Sequence, residues 1–343
     1  MTVSQVLSIF VVTAFISYLF TPFVRMVAVK LDFMDHPLTT KVHAHPKPLL
    51  GGVAIFSSFL VGILSNHSLS SVPYIIAVLS GAGLLLTIGL IDDRMGMMPN
   101  MKILGQFLAA MIVIKAGVRV EFFGNYYVNV IFTYFWIIGI TNAFNLLDNM
   151  DGLSGGIAVI AGFFFGVISL LSGQLVVAGL AFSISGACLG FLKHNFPKAR
   201  IFMGDSGSLV IGFVLSTIAI VGTWRTYVWT TSLMIPILVL GYPIFDTALV
   251  IVMRLTERRS IFNGGRDHSS HRLALLGLKK KRAVFVILTI CFLLGAAAFF
   301  LTRLRPAAGL MIGLASFIAM LSLGIRLGLV KTSREGRKKK WHA

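Results

Sequence analysis

The chain has 343 residues, of which 57% are hydrophobic and only 12% charged, and its mean hydropathy is +0.89. No soluble core of this length needs so much apolar surface, so the composition excludes an ordinary globular protein and indicates an integral membrane protein. The formal net charge of +18 does not indicate nucleic-acid binding, since the basic excess flanks apolar runs and ends in the sequence RKKK, where anionic lipid attracts it. No nucleic-acid-binding module is visible.

Eleven apolar runs are candidates for membrane crossings. The hydrocarbon layer is roughly 30 Å thick, so a helical crossing needs about 20 apolar residues. We predict an all-α polytopic membrane protein with about eleven transmembrane helices, built as one integral membrane domain over 1–330 with a basic tail over 331–343. The runs lie near 3–24, 49–66, 72–91, 103–118, 128–146, 153–171, 175–192, 207–224, 231–253, 283–302 and 307–327.

The distribution of lysine and arginine predicts the orientation, because short basic loops stay on the cytoplasmic side. With the N-terminus outside and the C-terminus inside, most of the 30 basic residues face the cytoplasm. Of the 12 acidic residues, Glu121 alone then lies outside. Acids contribute little to orientation, so their one-sided distribution predicts an active site at the cytoplasmic face.

The first polar cluster, GLIDDRMGMMPNMK over 89–102, places two adjacent acids at the end of an apolar run. Asp92 and Asp93 follow that run directly, which holds both carboxylates at the membrane surface, and the loop adds Lys102. A solvated helix end is the alternative interpretation. Carboxylates at a membrane surface lose solvation, so they favour a shared electropositive partner such as a metal ion or a cationic side chain.

The second cluster is NAFNLLDNMDGLSGG over 142–156. On a helix, Asn142, Asn145 and Asp148 recur every three residues and Asp151 continues the row, so all four project to one side. Such a stripe would be a poor lipid-facing surface. Helix capping by Asp148 or Asp151 is the alternative, but capping does not need four polar residues.

The third cluster, FMGDSGSLVIGF over 202–213, has a glycine-flanked Asp205 where an apolar run begins. Glycines allow close backbone approach, and a helix N-terminus presents free N–H groups, so a phosphate beside a metal held by Asp205 would suit this position. The alternative is a helix N-cap at Asp205 or Ser206.

The fourth cluster, GGRDHSSHR over 264–272, lies in a long basic loop. His268 and His271 could bind zinc, but no cysteine or further histidine is close in sequence to complete a tetrahedral site. Anion binding is favoured, because arginine and imidazole side chains match phosphate oxygens. A solvated basic loop is the rival interpretation.

The sequence thus combines carboxylates that suit Mg²⁺ and proton removal, cations that suit phosphates, and membrane-embedded helices that suit a lipid. Together they favour phosphoryl-transfer or diphosphate chemistry with Mg²⁺. In order and spacing, the four clusters and HAHPKPLLGG over 43–52 resemble the cytoplasmic signatures of the polyprenyl-phosphate N-acetylhexosamine-1-phosphate transferases of glycosyltransferase family 4. The resemblance implies a Mg²⁺-dependent phosphoglycosyl transferase, with Mn²⁺ as a substitute ion, in the bacterial cytoplasmic membrane. It would move an N-acetylhexosamine 1-phosphate, preferably that of N-acetylglucosamine, from a UDP-sugar to undecaprenyl phosphate and release UMP. This step initiates lipid-linked cell-envelope glycans such as O-antigen or teichoic acid.

The resemblance also implies roles for single residues at the reaction centre. Asp92 and Asp93 would deprotonate or position the lipid phosphate, and Lys102 would bind the diphosphate. Asp205 would be the principal Mg²⁺ ligand.

Further residues are assigned to the substrate by the same resemblance. Asn145 and Asp148 would stand near the diphosphate and metal. Asp151 would read the uracil edge, and Phe202 would stack on the uracil ring. A carboxylate accepts a hydrogen bond from the imide N–H, and aromatic stacking suits a base.

The fourth cluster departs from the family pattern, which commonly reads His-x-His-His-Arg. Ser270 stands at the third place, so we carry over only His268, His271 and Arg272 as substrate-binding residues. The loop also lacks the histidine-rich form associated with the phospho-N-acetylmuramoyl-pentapeptide transferases, which remain the alternative within the family.

A secondary ion-coupled transporter is the alternative from another class, because intramembrane acids also mark ion pathways. The acids cluster at one face rather than at the midplane, and Asp246 is the only deep candidate. Asp246 has a buried, hydrogen-bonded structural role as its simpler interpretation. The sequence leaves open a homodimer, and transfer through a covalent intermediate.

Overall fold

The structure is a computed structural model, and contacts divide the chain into an N-terminal unit, Met1–Trp224, and a C-terminal unit, Arg225–Ala343. Each unit is built from helices, which confirms the predicted all-α polytopic class. The single domain over 1–330 stays a prediction, and the basic tail over 331–343 lies outside the described residues. The structure describes residues 1–35, 46–224, 229–260, 265 and 267–330.

The N-terminal unit contains nine described helices and a two-stranded antiparallel ribbon in which Met34 pairs with Pro48. Its elements are α1 (Val3–Lys30), β1 (Met34–Asp35), β2 (Lys47–Pro48), α2 (Gly51–Leu64), α3 (His67–Ser70), α4 (Pro73–Met95), α5 (Pro99–Lys115), α6 (Tyr126–Leu147), α7 (Leu153–Leu171), α8 (Leu175–Asn195) and α9 (Gly204–Val221). The described elements of the C-terminal unit are α10 (Trp229–Val239), α11 (Gly241–Thr256), α12 (Ser269–Leu275), α13 (Lys280–Leu301) and α14 (Pro306–Gly328).

Helix boundaries follow proline and glycine positions in the sequence. Pro73, Pro99 and Pro306 open α4, α5 and α14, where a missing N–H costs no intrahelical bond. Gly96 and Gly117 follow the ends of α4 and α5 with φ of +71° and +90°. These left-handed conformations stop the two helices, since residues with a Cβ rarely adopt them.

Within the described residues, eight helices are long and apolar enough to cross a membrane, or up to nine if one bent pair counts as a span. That pair, Ser232–Val239 and Gly241–Thr256, is bent by 70°. The runs predicted near 49–66 and 103–118 form helices of only 14 and 17 residues, α2 and α5. Flanking apolar residues such as Leu49 and Leu50 lie outside the helix, so apolar length overstates helix length.

The N-terminal unit is centred on α7, α8 and α9, the most buried of its apolar spans. Glycines permit the closest approaches. A Cβ on Gly186 would lie 2.4 Å from the carbonyl oxygen of Phe10, and one on Gly190 would lie 2.1 Å from that of Ala14. Successive residues of α1 therefore meet successive residues of α8, so the two helices run parallel and in close backbone contact.

A second close approach fixes where α9 begins. A Cβ on Gly89 of α4 would lie 2.3 Å from Cα of Ser206, and one on Gly52 of α2 would lie 2.3 Å from the backbone nitrogen of Gly207. Backbone atoms cannot move aside as the end of a flexible side chain can. The first turn of α9 is therefore held directly against α2 and α4.

We expect Gly89→Ala to destabilise the protein by about 1–3 kcal/mol, the usual cost of overpacking a tight contact. Gly139→Ala in α6 is the matched control, because no heavy atom lies within 4 Å of the added Cβ. Thermal unfolding of both variants in one detergent measures the difference. Equal midpoints for the two variants would contradict this account of the α4 and α9 contact.

Candidate active site

Asp93 of α4 caps the N-terminus of α9. Its carboxylate accepts hydrogen bonds from the backbone N–H groups of Asp205, at 2.7 Å, and Ser206, at 3.2 Å. The first N–H groups of a helix have no intrahelical partner, and a carboxylate there also interacts favourably with the helix dipole. The alternative interpretation, a helix N-cap at Asp205 or Ser206, is wrong, since Met203 holds that position without a side-chain cap.

Gly204 makes this contact possible. It has φ of +74°, and a Cβ added there would lie 2.4 Å from an oxygen of Asp93. The glycine next to Asp205 therefore permits a close approach, whereas the phosphate expected at this position stays a prediction. The group that approaches is the carboxylate of Asp93.

Lys102 of α5 joins two carboxylates. Its Nζ donates to Oδ2 of Asp92 and to Oδ2 of Asp205, at 2.8 Å each. The other oxygen of Asp92 accepts the N–H of Met97 at 2.6 Å, so the turn between α4 and α5 is folded back onto the acid. The structure thus brings together Asp92, Asp93, Lys102 and Asp205 from three helices.

The predicted stripe over 142–151 is divided among several partners. Asn142 exchanges two side-chain hydrogen bonds with Gln106 of α5, at 2.6 and 3.2 Å. Asn145 donates to Oγ of Ser208 in α9 at 3.0 Å, which ties α6 to the helix that carries Asp205. Asn142 thus contacts α5, whereas Asn145 reaches the first turns of α9.

Asp148 lies just beyond α6, as its C-cap residue. Burial raises the pKa of the Asp148 carboxyl to about 8, and the nearby negative charge of Asp205 acts in the same direction. A carboxyl in this position favours a proton or an added cation beside it.

The expectation that Asp151 continues the helix is wrong. The helix α6 ends at Leu147, and Gly152 has φ of +74° as the N-cap residue of α7, with no side-chain cap. The alternative interpretation, in which Asp148 or Asp151 is the N-cap residue of the next helix, is therefore also wrong. Oδ2 of Asp151 instead accepts the N–H of Ala199 at 2.9 Å.

Asn195 fixes the loop over 196–203, which carries Phe202. Its Oδ1 accepts the N–H of Gly152 and its Nδ2 donates to the carbonyl oxygen of Ile201, at 2.9 Å each, while the side chain is buried. Lys47 donates to the carbonyl oxygen of Ala199 at 2.7 Å. Our site prediction omitted Asn195 and Lys47, although a buried amide at a helix end and a lysine inside HAHPKPLLGG were available signals.

Phe202 is tied to the segment before α2. Its N–H donates to the carbonyl oxygen of Pro48 at 2.8 Å, and its own carbonyl oxygen accepts the N–H of Gly51 at 3.0 Å. The ring is half-buried. These two backbone hydrogen bonds fix Phe202 against the segment before α2. The same loop contacts Asp151 through Ala199, so Phe202 and Asp151 are attached to one loop.

The fourth cluster lies in the C-terminal unit, around Asp246 of α11. Nδ1 of His268 and Oδ2 of Asp246 are 2.7 Å apart, and the other carboxylate oxygen accepts the N–H of Ser269 at 2.8 Å. The hydroxyl of Ser269 also donates to Asp246 and lies 2.6 Å from that of Tyr242. Asp246 is thus a buried, hydrogen-bonded acid, which matches its simpler interpretation.

Arg272 is directed into the C-terminal unit. It is 1% exposed, and Nη1 donates to the carbonyl oxygens of Leu327, at 3.0 Å, and Val330, at 2.8 Å, at the end of α14. His271 lies half-buried on α12. The roles of His268, His271 and Arg272 in substrate binding stay predictions.

The residues of the N-terminal unit suit a magnesium ion. No three acid, histidine or cysteine side chains among the described residues could hold a metal by themselves. Mg²⁺ is commonly bound through one or two carboxylates together with substrate phosphates. Asp92 and Asp205 supply such oxygens, and both carboxylates already face a positive charge, the Lys102 ammonium that lies 2.8 Å from each.

Comparison with known proteins places the N-terminal acidic cluster inside a family match. Residues 74–223 match the family described as glycosyl transferase family 4. A probable undecaprenyl-phosphate N-acetylglucosaminyl 1-phosphate transferase of Bacillus subtilis is 34% identical over 84% of this chain and 83% of its own. A decaprenyl-phosphate N-acetylglucosaminephosphotransferase of Mycolicibacterium smegmatis is 30% identical, over 80% and 76% respectively. An undecaprenyl-phosphate alpha-N-acetylglucosaminyl 1-phosphate transferase of Thermotoga maritima is 32% identical, over 75% and 78%.

Proposed function

Because the chain belongs to glycosyl transferase family 4, we propose that it transfers N-acetylglucosamine 1-phosphate from UDP-N-acetylglucosamine to undecaprenyl phosphate and releases UMP. The observation that carries the proposal is the junction of Asp92, Lys102 and Asp205, with each Nζ to Oδ2 distance at 2.8 Å. Binding of a diphosphate requires a positive charge near its oxygens and carboxylates that can hold a metal ion, and this junction contains both kinds of group. The product would begin a lipid-linked glycan of the cell envelope.

The reaction exchanges one phosphorus–oxygen bond for another. An oxygen of the lipid phosphate attacks the β-phosphorus of the UDP-sugar, and the bond from that phosphorus to the bridging oxygen breaks, so UMP leaves with this oxygen. Lys102 lies where it can balance phosphate charge. Asp92 would accept a proton from the attacking phosphate; its oxygens otherwise accept Lys102 and the N–H of Met97, just as both oxygens of Asp93 accept N–H groups of α9.

Asp205 would hold Mg²⁺, and Mn²⁺ would substitute because it also binds carboxylate oxygen. The ion, when bound, offsets negative charge on the departing UMP. Asn145 and Asp148 lie beside α9 and would contact the diphosphate. Asp93 keeps Asp205 in place by anchoring the backbone of the same helical turn.

The test of the proposed function is UMP release by purified protein with undecaprenyl phosphate, Mg²⁺ and a panel of UDP-sugars. We expect release with UDP-N-acetylglucosamine and none after chelation of the metal. Preference for UDP-N-acetylmuramoyl-pentapeptide would assign the alternative transferase. No UMP with any sugar, together with ion-driven flux into sealed vesicles, would assign a transporter.

We further propose that the site faces the cytoplasm, with the N-terminus outside, as the basic loops predict. A cysteine at Lys338 should resist an impermeant reagent in intact cells, whereas a cysteine at Gly124 should react. The native Cys188 and Cys291 are both buried, so their background labelling should be low. Ready labelling of the Lys338→Cys variant in intact cells would reverse the orientation.

A further inference from the structure

A basic cavity of about 420 Å³ lies at the C-terminal end of α8, apart from the acidic cluster. Three exposed cations, Lys193, Lys198 and Arg200, line it together with His194 and Tyr18 of α1. None of the described residues that line the cavity is acidic. The reaction proposed above uses none of these side chains.

The wall of the cavity is held in a defined shape. Nε2 of His194 donates to the carbonyl oxygen of Tyr18 at 3.0 Å, and the two rings stack with centroids 5.3 Å apart. The N–H of Arg200 donates to the carbonyl oxygen of His194 at 2.9 Å, which closes the loop. The contact of Ala199 with Asp151 anchors the same loop from its other side. The cations are therefore gathered around one opening.

The cations of the cavity lack acidic partners among the described side chains. In the part of the chain that the structure describes, Lys193, Lys198 and Arg200 form no ion pair. Three like charges around one opening repel each other, so an anion that enters gains attraction and relieves this repulsion. Ammonium and guanidinium groups together match the oxygens of a phosphate.

The surface above the cavity is apolar. On α1, Phe15 and Leu19 are 60% and 56% exposed and lie one helical turn apart on the side that carries Tyr18. On α8, Leu189 is 40% exposed and precedes Lys193 by one turn. Since α1 and α8 run parallel and in contact, these exposed apolar side chains lie on the stretch of the two helices that leads to the cations. A soluble anion would make no use of that stretch.

We propose that this cavity binds the phosphate of an anionic membrane phospholipid, whose acyl chains lie along the exposed face of α1 and α8. Tyr18 stands at the boundary, where aromatic residues with a polar end are common in membrane proteins. Basic pockets on the cytoplasmic side of a membrane protein attract anionic headgroups. The bound lipid would hold the loop over 196–203 against the bilayer.

The experiment measures binding of spin-labelled phosphatidylglycerol to the full chain in phosphatidylcholine nanodiscs. We expect the triple variant K193Q/K198Q/R200Q to weaken binding by about tenfold or more, because each basic residue near the surface contributes to attraction. The variant K279Q/K280Q/K281Q, which removes the same charge from an exposed stretch at the start of α13, is the matched control and should retain binding. The triple variant K193R/K198R/R200K should retain it as well.

Equal affinity for phosphatidylglycerol in the glutamine variant and its control would overturn the proposal. Inorganic phosphate, tested by calorimetry in detergent, separates the two sources of phosphate. If it binds the cavity as tightly as the lipid and displaces it, the site takes a soluble anion and the lipid assignment is wrong. Both readouts are binding measurements, so they stand whatever UDP-sugar the enzyme accepts.

Discussion

Replacing Asp205 by asparagine is expected to lower the single-turnover rate by roughly 10²–10³-fold, the usual effect of removing one electrostatic contact to a transition state. An amide oxygen is a much poorer Mg²⁺ ligand than a carboxylate. The fold should persist, because Asp205 binds Asp93 through its backbone N–H and its side chain contacts Lys102. Higher Mg²⁺ concentrations should recover part of the rate.

The control for this prediction is Asp32→Asn, which makes the same chemical change after the end of α1. Asp32 has φ of +49°, a conformation that asparagine tolerates, and its contact to Arg94 uses the backbone carbonyl. We expect wild-type turnover from this variant. Turnover near wild type for Asp205→Asn at ordinary Mg²⁺ would remove Asp205 from the metal site.

The helices were predictable because apolar length and helical hydrogen bonding are local requirements of the bilayer. The positions at which the helices begin and end were less predictable. The runs that became α2 and α5 contain enough apolar residues to suggest a crossing, yet Leu50 and Gly117 adopt left-handed conformations and lie outside the helices. Sequence hydropathy counts such residues, whereas backbone geometry excludes them.

The sequence predicted which acids belong to the cluster, but it did not predict which group each acid contacts. Adjacent acids at a membrane surface indicated a shared cation, and Lys102 does join Asp92 to Asp205. That Asp93 caps a helix more than a hundred residues away depends on the packing of α4 against α9, which no local pattern encodes. Neighbouring acids on a helix face different directions, and tertiary packing decides what each one meets.

Arg272 illustrates the same limit in the C-terminal unit. An arginine beside two histidines fits phosphate recognition by residue type alone. Its guanidinium instead donates to carbonyl oxygens at the end of α14, which follows it by more than fifty residues. The last carbonyls of a helix have no partner within the helix, and the buried Arg272 supplies donors at this end. Residue type gives the chemistry available, and the fold determines where it is used.

The second large effect is expected from substitutions in the proposed nucleotide site, which should change the affinity for UDP-sugar rather than the rate. If Asp151 reads the uracil edge and Phe202 stacks on its ring, Asp151→Ala and Phe202→Ala should each weaken UDP-sugar binding. Loss of a charge-assisted hydrogen bond costs roughly 1.5–3 kcal/mol, which is about one to two decades in affinity. Asp92→Asn and Asp93→Asn should instead lower turnover with less effect on nucleotide affinity, because Asp92 is assigned to the lipid phosphate and Asp93 holds the turn that carries Asp205.

The contact between Asp151 and Ala199 requires a further variant, since Asp151→Ala also releases the loop that carries Phe202. In Asp151→Asn the amide oxygen can still accept the N–H of Ala199. The new NH₂ group would face the N–H of uracil, and two donors cannot form a hydrogen bond with each other. We therefore expect Asp151→Asn to bind UDP-sugar as weakly as Asp151→Ala but to unfold at the wild-type temperature. Calorimetric affinity, thermal unfolding and single-turnover rates in one detergent distinguish the cases. If Asp151→Asn binds UDP-sugar as the wild type does and only Asp151→Ala is weak, the carboxylate holds the loop over 196–203 and does not read the base.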